Sequence, residues 1–154
     1  MNGVQELAAR TGTFVAALGL RTGGGSPAST VSAKWAPDAP RDYLERIVQR
    51  CRELDCLLVY DNAYSELAFD GYTPPSIFEI DGAREVAIEY HSMSKTYNMT
   101  GWRCGWAVAR PEIASTLAKV KSFVDTGAFM AVQAAAVAAI ESWSEFLPGN
   151  LAVF

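Results

Sequence analysis

The length, composition and charge of the chain exclude several classes of protein. Its 154 residues are 50% hydrophobic and 19% charged, as in a folded globular domain and unlike a disordered or collagen-like chain. Thirteen Lys and Arg against seventeen Asp and Glu give a net charge of −4, without the basic patch that nucleic-acid binding needs. Three cysteines without ligand-like spacing and a single histidine predict neither a disulfide framework nor a metal site.

The apolar segments predict no membrane span, and we expect a cytoplasmic protein. The longest, Gly127 to Ile140, is shorter than the roughly twenty residues that a spanning helix needs. The run from Thr13 to Leu20 has the length of a signal-peptide core. Because Glu6 lies in the region that should be basic, we do not expect secretion.

Residues 1–37 carry only weak patterns, and we interpret them as a tail or linker with at most a short helix between Val4 and Ala17. Sequence patterns typical of helices and strands become strong from residue 38, so residues 38–154 are predicted to form the folded domain. Asp38 and Pro40 predict a helix start, and apolar residues at helical spacing continue that helix to Leu54.

Three strands are predicted after this helix. The apolar run from Cys56 to Tyr60 has the length and composition of a buried parallel strand. A loop-rich connection follows, with a short turn or helix at Ser76 to Glu79. Further strands are predicted at Val86 to Tyr90 and at Cys104 to Ala109.

Two helices are predicted after the last strand. The first opens at Pro111, and its predicted buried side consists of Ile113, Leu117, Val120 and Val124. The second runs from about Phe129 to Trp143. This succession of helices and strands predicts an α/β fold.

The lengths of the connections predict the strand directions and a ligand site. About 25 residues separate the first two strands, which is enough for a right-handed parallel crossover. Only about eight residues separate the second from the third, so that pair should be antiparallel. Asp61, the segment Ser92 to Lys95 and Arg103 should then share one edge of the sheet. Open α/β sheets bind their ligands at that edge.

The predicted edge carries side chains suited to a cofactor with a carbonyl and a phosphate: Asp61, Tyr64, Ser92, Ser94, Lys95 and Arg103. A lysine amine forms a Schiff base with a carbonyl, and Ser and Arg hold a phosphate by charge-assisted hydrogen bonds. A buried carboxylate suits a pyridinium nitrogen that must stay protonated. Pyridoxal phosphate meets all of these demands.

Two motifs carry a family resemblance. The run Asp61-Asn62-Ala63-Tyr64 and the segment SMSKTYNMTGWRCGW at residues 92–106 resemble fold-type I aminotransferases of class I/II, which depend on pyridoxal 5′-phosphate. Within them the chain is most similar to the branch of LL-diaminopimelate, alanine and aspartate transaminases. The resemblance covers about residues 38–147. It implies a partial large domain: a three-layer structure whose mixed sheet has one antiparallel strand and helices on both faces.

The resemblance also implies a role for each site residue. Lys95 would form the Schiff base and move the proton between the substrate and the cofactor. Asp61 would pair with the pyridinium nitrogen, and Tyr64 would hydrogen-bond the ring oxygen of the cofactor. The implied phosphate ligands are Ser92, Ser94 and Arg103. The implied reaction moves an amino group between an amino acid and a 2-oxo acid, in a homodimer.

Each of these residues also has a purely structural interpretation. Lys95 could be a solvated surface lysine, Asp61 a turn cap, and Arg103 a partner of a surface carboxylate. Tyr64 could serve packing alone. His91 is expected to pack or to hydrogen-bond rather than to catalyse. Trp102 and Trp106 are expected to bury sheet edges, and the three cysteines to be buried small hydrophobic residues.

Departures from the family keep three hypotheses open. Family members are well over twice as long, and residues 31–37 replace the family's Asn-Pro-Thr-Gly segment. We expect the small C-terminal domain, which in the family carries the substrate-carboxylate arginine, to be absent from this chain. The chain could be a transaminase segment from a truncated or misassembled reading frame. It could be a non-catalytic remnant or interaction module, or a segment of another fold-type I enzyme, a β-lyase or a cyclopropane-forming synthase. We expect little or no transaminase activity from the isolated chain.

Overall fold

The computed structural model describes residues 30–33, as backbone alone, and residues 39–153. The predicted helix between Val4 and Ala17 lies outside these residues, as do Asp38 and most of the predicted tail. Within the described part of the chain, no helix is both long and apolar enough to cross a membrane.

One mixed sheet organises the described residues. Its strands are β1 (Thr30–Ala33), β2 (Leu57–Asp61), β3 (Ala87–Ser92) and β4 (Gly105–Ala109), in the order β1-β2-β3-β4. The first three strands are parallel, and β4 is antiparallel to β3. The directions predicted from the connection lengths are therefore confirmed, although each strand begins or ends one or two residues away from its predicted limits.

The strand β1 is absent from the sequence prediction, which included its residues in a tail or linker. Its backbone pairs with β2 in the register Thr30 to Leu57 and Ala33 to Tyr60. A four-residue segment, TVSA, is too short for an apolar period to become visible. Because the strand exists through hydrogen bonds to a partner 27 residues away, only the tertiary structure defines it.

The described residues also contain six helices and two 3₁₀ turns. The helices are α1 (Arg41–Glu53), α2 (Ala83–Val86), α3 (Met93–Thr96), α4 (Pro111–Val124), α5 (Met130–Glu141) and α6 (Trp143–Leu151). The 3₁₀ turns are Ile77–Glu79 and Thr100–Trp102. Helices α1 and α4 match their predicted ranges closely, since each has a proline at its start and a regular apolar spacing.

The single helix predicted from Phe129 to Trp143 is two helices in the structure. Ser142, with φ −96° and ψ 6°, separates α5 from α6. Its hydroxyl donates a hydrogen bond to the carbonyl of Ala138 at 2.9 Å. Short serine side chains compete for helix carbonyls in this way and favour helix ends, so the apolar pattern continues across a break in the backbone.

The main core lies on one face of the sheet, in two clusters. The first joins α1 to β2 through Leu44, Val48 and Leu58. The second joins the segment after β3 to β4 and α5, through residues that include Met93 and Trp106. Leu44, Leu58 and Met93 are almost completely inaccessible to solvent, so this face holds the apolar burial that stabilises the fold.

Among the described residues, only α4 lies over the opposite face. A groove of 450 Å³ lies between this helix and the sheet. Ile113 and Leu117 are half-buried there, but Val120 and Val124 are 50% and 54% exposed. The prediction that all four form a buried side is therefore wrong for the last two. Val120 lines the groove together with residues of the strands, and because this groove is open, half of the Val120 surface stays accessible. Helices on both faces nevertheless confirm the predicted three-layer α/β arrangement.

Candidate active site

The carboxyl ends of β2 and β3 and the start of β4 lie at one edge of the sheet. Asp61, the last residue of β2, pairs with Tyr90. Ser92, the last residue of β3, pairs with Gly105, the first residue of β4. Arg103 precedes Gly105 by two residues. The antiparallel direction of β4 thus brings an arginine to the edge where the two parallel strands end.

The lysine lies in α3, which begins where β3 ends. Ser92 is the N-cap, and its hydroxyl accepts a hydrogen bond from the Ser94 backbone N–H at 3.1 Å. The Thr100 hydroxyl donates to the Ser94 carbonyl at 2.9 Å. Both bonds restrain the backbone of Ser94, directly before Lys95, whose side chain is half-buried.

The structure brings Lys95 and Tyr64 together. The Lys95 Nζ lies 5.3 Å from the centroid of the Tyr64 ring, within the range of a cation–π interaction. Tyr64 is 45% exposed and lies within a turn in which the Ser65 N–H donates to the Asn62 carbonyl. The phenol therefore contacts the lysine and remains accessible from solvent.

Arg103 holds an unusual backbone conformation and an open side chain. Its φ of +52° is in the left-handed region, where a bulky residue is uncommon. Its Nη1 donates to the Thr100 carbonyl at 3.0 Å, and the residue is exposed. Among the ion pairs of the described residues none involves Arg103, so no surface carboxylate there explains its position.

Asp61 is exposed at the strand end, and its charge affects the neighbouring strand. Burial raises the pKa of the Tyr90 hydroxyl, and the Asp61 carboxylate raises it further because a phenolate beside it would be repelled. Tyr90 therefore stays neutral at physiological pH. No three His, Cys, Asp or Glu side chains of the described residues cluster as a metal ion would require.

Two supporting networks were not predicted from the sequence. Glu89 is fully buried behind the Asp61 turn and accepts hydrogen bonds from Asn62, Ser76 and Ile77. The one available signal was an acidic residue inside an apolar strand segment. In the second network Asn150 of α6 donates to the Thr96 carbonyl, directly after the lysine. A contact between residues 54 positions apart leaves no local pattern.

The structural interpretations of the other conspicuous residues are mostly confirmed. His91 is buried and stacks on Trp106 with 5.0 Å between ring centroids. The three cysteines are buried and free, and burial raises the pKa of the Cys104 thiol. Trp102 was expected to bury a sheet edge, but it is 51% exposed because it lies in a 3₁₀ turn before β4 rather than on the strand.

The family model for aminotransferases of class I and II matches residues 34–148 of the chain. The chain belongs to this family. Pyridoxal 5′-phosphate is the cofactor of these aminotransferases. The residues described above fit one wall of such a site by their chemistry, since an amine, a phenol, a carboxylate, two hydroxyls and a guanidinium occupy one sheet edge.

Individual relatives of the chain are also named as aminotransferases. The chain is 53% identical over 102 residues to an LL-diaminopimelate aminotransferase of Desulforudis audaxviator, covering 66% of this chain and 26% of that protein. It is 52% identical over 103 residues to the enzyme of the same name from Syntrophobacter fumaroxidans, covering 67% and 26%. The chain thus spans about a quarter of the length of these curated relatives.

Solved aminotransferase structures share the fold. An aminotransferase from Staphylococcus aureus superposes with a TM-score of 0.69 at 30% identity, covering 80% of this chain and 34% of that one. A probable N-succinyldiaminopimelate aminotransferase from Thermus thermophilus gives a TM-score of 0.70 at 28% identity, covering 79% and 34%. The sheet and helices described here therefore correspond to about a third of an aminotransferase chain.

Proposed function

We propose that this chain supplies the lysine-bearing wall of a pyridoxal-phosphate site in an aminotransferase that moves an amino group between an amino acid and a 2-oxo acid. The observation that carries the proposal is the approach of the Lys95 amine to the Tyr64 ring, 5.3 Å from its centroid, at the edge where two parallel strands end. A half-buried amine beside a phenol suits covalent attachment of an aldehyde.

The other edge residues have complementary tasks. The bound cofactor supplies an electron sink for the bonds at the substrate α-carbon. The Asp61 carboxylate would keep the pyridine nitrogen protonated, and Tyr64 would donate a hydrogen bond to the ring oxygen. The phosphate would lie against Ser92, Ser94 and Arg103, where hydroxyls and a guanidinium provide charge-assisted hydrogen bonds. Lys95 would carry the proton to and from the substrate carbon.

The substrate class follows from the relatives. Those with half or more of their aligned residues identical are named LL-diaminopimelate aminotransferases. We therefore propose LL-diaminopimelate as the amino donor or product, with a 2-oxo acid as its partner. We further propose a homodimer and a cytoplasmic location, since the three buried cysteines are free thiols, as a reducing compartment allows.

The test is an absorption titration of the purified chain with pyridoxal phosphate. We expect a visible band that Lys95→Ala abolishes and that the matched surface variant Lys119→Ala retains. Borohydride reduction followed by peptide mapping should place the cofactor on Lys95. If the wild-type chain develops no band at millimolar cofactor, the proposal of a cofactor site in this chain fails.

Addition of amino acids to the loaded chain separates the remaining alternatives. Conversion of the cofactor to its amine form with release of a 2-oxo acid supports aminotransferase chemistry. Release of ammonia, or of a cyclised product, would instead assign another reaction of the same fold. A band without any turnover would make the chain a binding remnant, in agreement with the low activity expected of it alone.

A further inference from the structure

A fully buried carboxylate lies at the centre of the sheet, directly behind the candidate site. Glu89 is 0% exposed and lies in the middle of β3, paired with Tyr60 on one side and with Val108 on the other. Alternation along β3 directs it to the face that carries both core clusters. A carboxylate in such surroundings is costly unless hydrogen-bond donors surround it, so its partners indicate its purpose.

Its partners lie at both ends of the loop of residues 62–76, which opens the connection between β2 and β3. At the start of that connection, the Asn62 side-chain amide donates to Oε1 at 2.8 Å. Where that loop ends and the 3₁₀ turn begins, the Ser76 hydroxyl donates to Oε2 at 2.6 Å and the Ile77 N–H at 3.2 Å. The Nε2 of buried His91 lies 3.2 Å from Oε1. One carboxylate thus holds both ends of the same loop.

The first of these partners is next to the candidate site residues. Asn62 follows Asp61 directly, and its backbone N–H donates to the Tyr90 carbonyl at 2.9 Å. With its side chain bound to Glu89, Asn62 is restrained at both backbone and side chain. The adjacent Asp61 and the turn that carries Tyr64 are restrained with it, because neighbouring residues share peptide planes.

We propose that Glu89 is a positioning residue that sets the orientation of the Asp61–Tyr64 turn relative to Lys95. This inference rests on the proposed function, in which Asp61 and Tyr64 contact the cofactor ring. Charge-assisted bonds from a group fixed within a sheet hold a turn more rigidly than neutral bonds from a loop would.

The variants Glu89→Gln and Asn62→Ala test this role, with Glu112→Gln, an exposed glutamate of α4, as the matched control. The first readout, without cofactor, is backbone hydrogen exchange. Exchange at residues 61–65 should accelerate about tenfold in both variants, while exchange within α1 stays at the wild-type rate. The second readout is cofactor release and the pH midpoint of the visible band. Release should be about tenfold faster, and the midpoint should shift, as expected when charge-assisted bonds that orient the site are lost.

A purely structural role would lower the unfolding midpoint without changing these two properties of the folded protein. Folded variants with exchange at residues 61–65 and a band midpoint equal to those of Glu112→Gln would overturn the proposal. Should Glu89→Gln not fold, Asn62→Ala decides, because it leaves the carboxylate with its Ser76 and Ile77 donors. A wild-type chain without a cofactor band would refute the proposed function, and the exchange measurement would still decide the role of Glu89.

Discussion

Asn150, at the far end of the chain from the lysine segment, should stabilise that segment measurably. It is 6% exposed and joins two partners: its amide donates to the Thr96 carbonyl at 3.0 Å, and its oxygen accepts from Asn98 at 2.6 Å. Thr96 is buried, so its carbonyl would lose its partner without gaining water. Asn98 is exposed and would be rehydrated.

The burial of these partners determines how much stability is lost when the Asn150 side chain is removed. An unsatisfied buried acceptor costs about 1–3 kcal/mol, whereas loss of a hydrogen bond by a group that regains water costs about 0.5 kcal/mol. We therefore expect Asn150→Ala to lower the free energy of unfolding by about 2 kcal/mol. Asn98→Gly is the matched variant at the exposed partner. Glycine adopts the +53° φ of that position without strain and leaves the bond to the Thr96 carbonyl intact. The loss should then come only from the part-buried Asn150 oxygen, which no longer has its donor, and should be about 1 kcal/mol.

Urea unfolding followed by tryptophan fluorescence measures both values, and hydrogen exchange at residues 95–99 localises the effect. The exchange of this segment should accelerate in Asn150→Ala more than that of α1. If Asn150→Ala changes the free energy of unfolding by less than about 0.5 kcal/mol, the argument from the buried Thr96 carbonyl is refuted.

Two further predictions concern the backbone and the pH dependence. Gly82 and Gly71 have φ of +81° and +76°, but only at Gly82 would a new Cβ meet a neighbour, Arg52 Nη1 at 2.9 Å. Both alanine variants should lower the free energy of unfolding in urea by about 1–2 kcal/mol, and Gly82→Ala should lower it more than Gly71→Ala. Equal losses would contradict a role for the contact with Arg52. Burial raises the pKa of Tyr60 and of Tyr97 to about 12. Between about pH 10 and 12 both therefore keep their protons in the folded chain, whereas the same tyrosines in the unfolded chain, with a pKa near 10, lose them. The contribution of these two tyrosines to stability should be constant below about pH 10 and fall by about 2–3 kcal/mol per tyrosine as the pH rises to 12. Tyr97→Phe should remove the share of Tyr97 from this fall.

Some features of the fold were predictable because they depend on local patterns. The helix α1 was predictable from Leu44, Val48 and Cys51 at helical spacing, and these residues are its buried side. The antiparallel direction of β4 followed from a connection that is too short for a crossover. Both arguments use neighbouring residues or chain length alone, so no knowledge of the partner surface was needed.

Other features were not predictable because a distant partner decides them. The strand β1 exists through pairing with β2, and the exposure of Val120 and Val124 depends on how closely α4 packs against the sheet. The interpretation of residues 1–37 as a tail did not include that strand. The boundary between tail and domain stays a prediction for the residues that are not described.

The candidate site divides in the same way. The types and order of its residues, from Asp61 to Arg103, are properties of the sequence, because the chemistry of a carboxylate, an amine or a guanidinium belongs to the residue itself. Their arrangement is decided by the tertiary structure. The approach of Lys95 to Tyr64 and the buried partners of Glu89 depend on strand register and loop packing, which join residues 12 to 31 positions apart. Hydrogen bonds and packing act over a few ångströms in space, so only the folded chain determines which groups are close enough to act together.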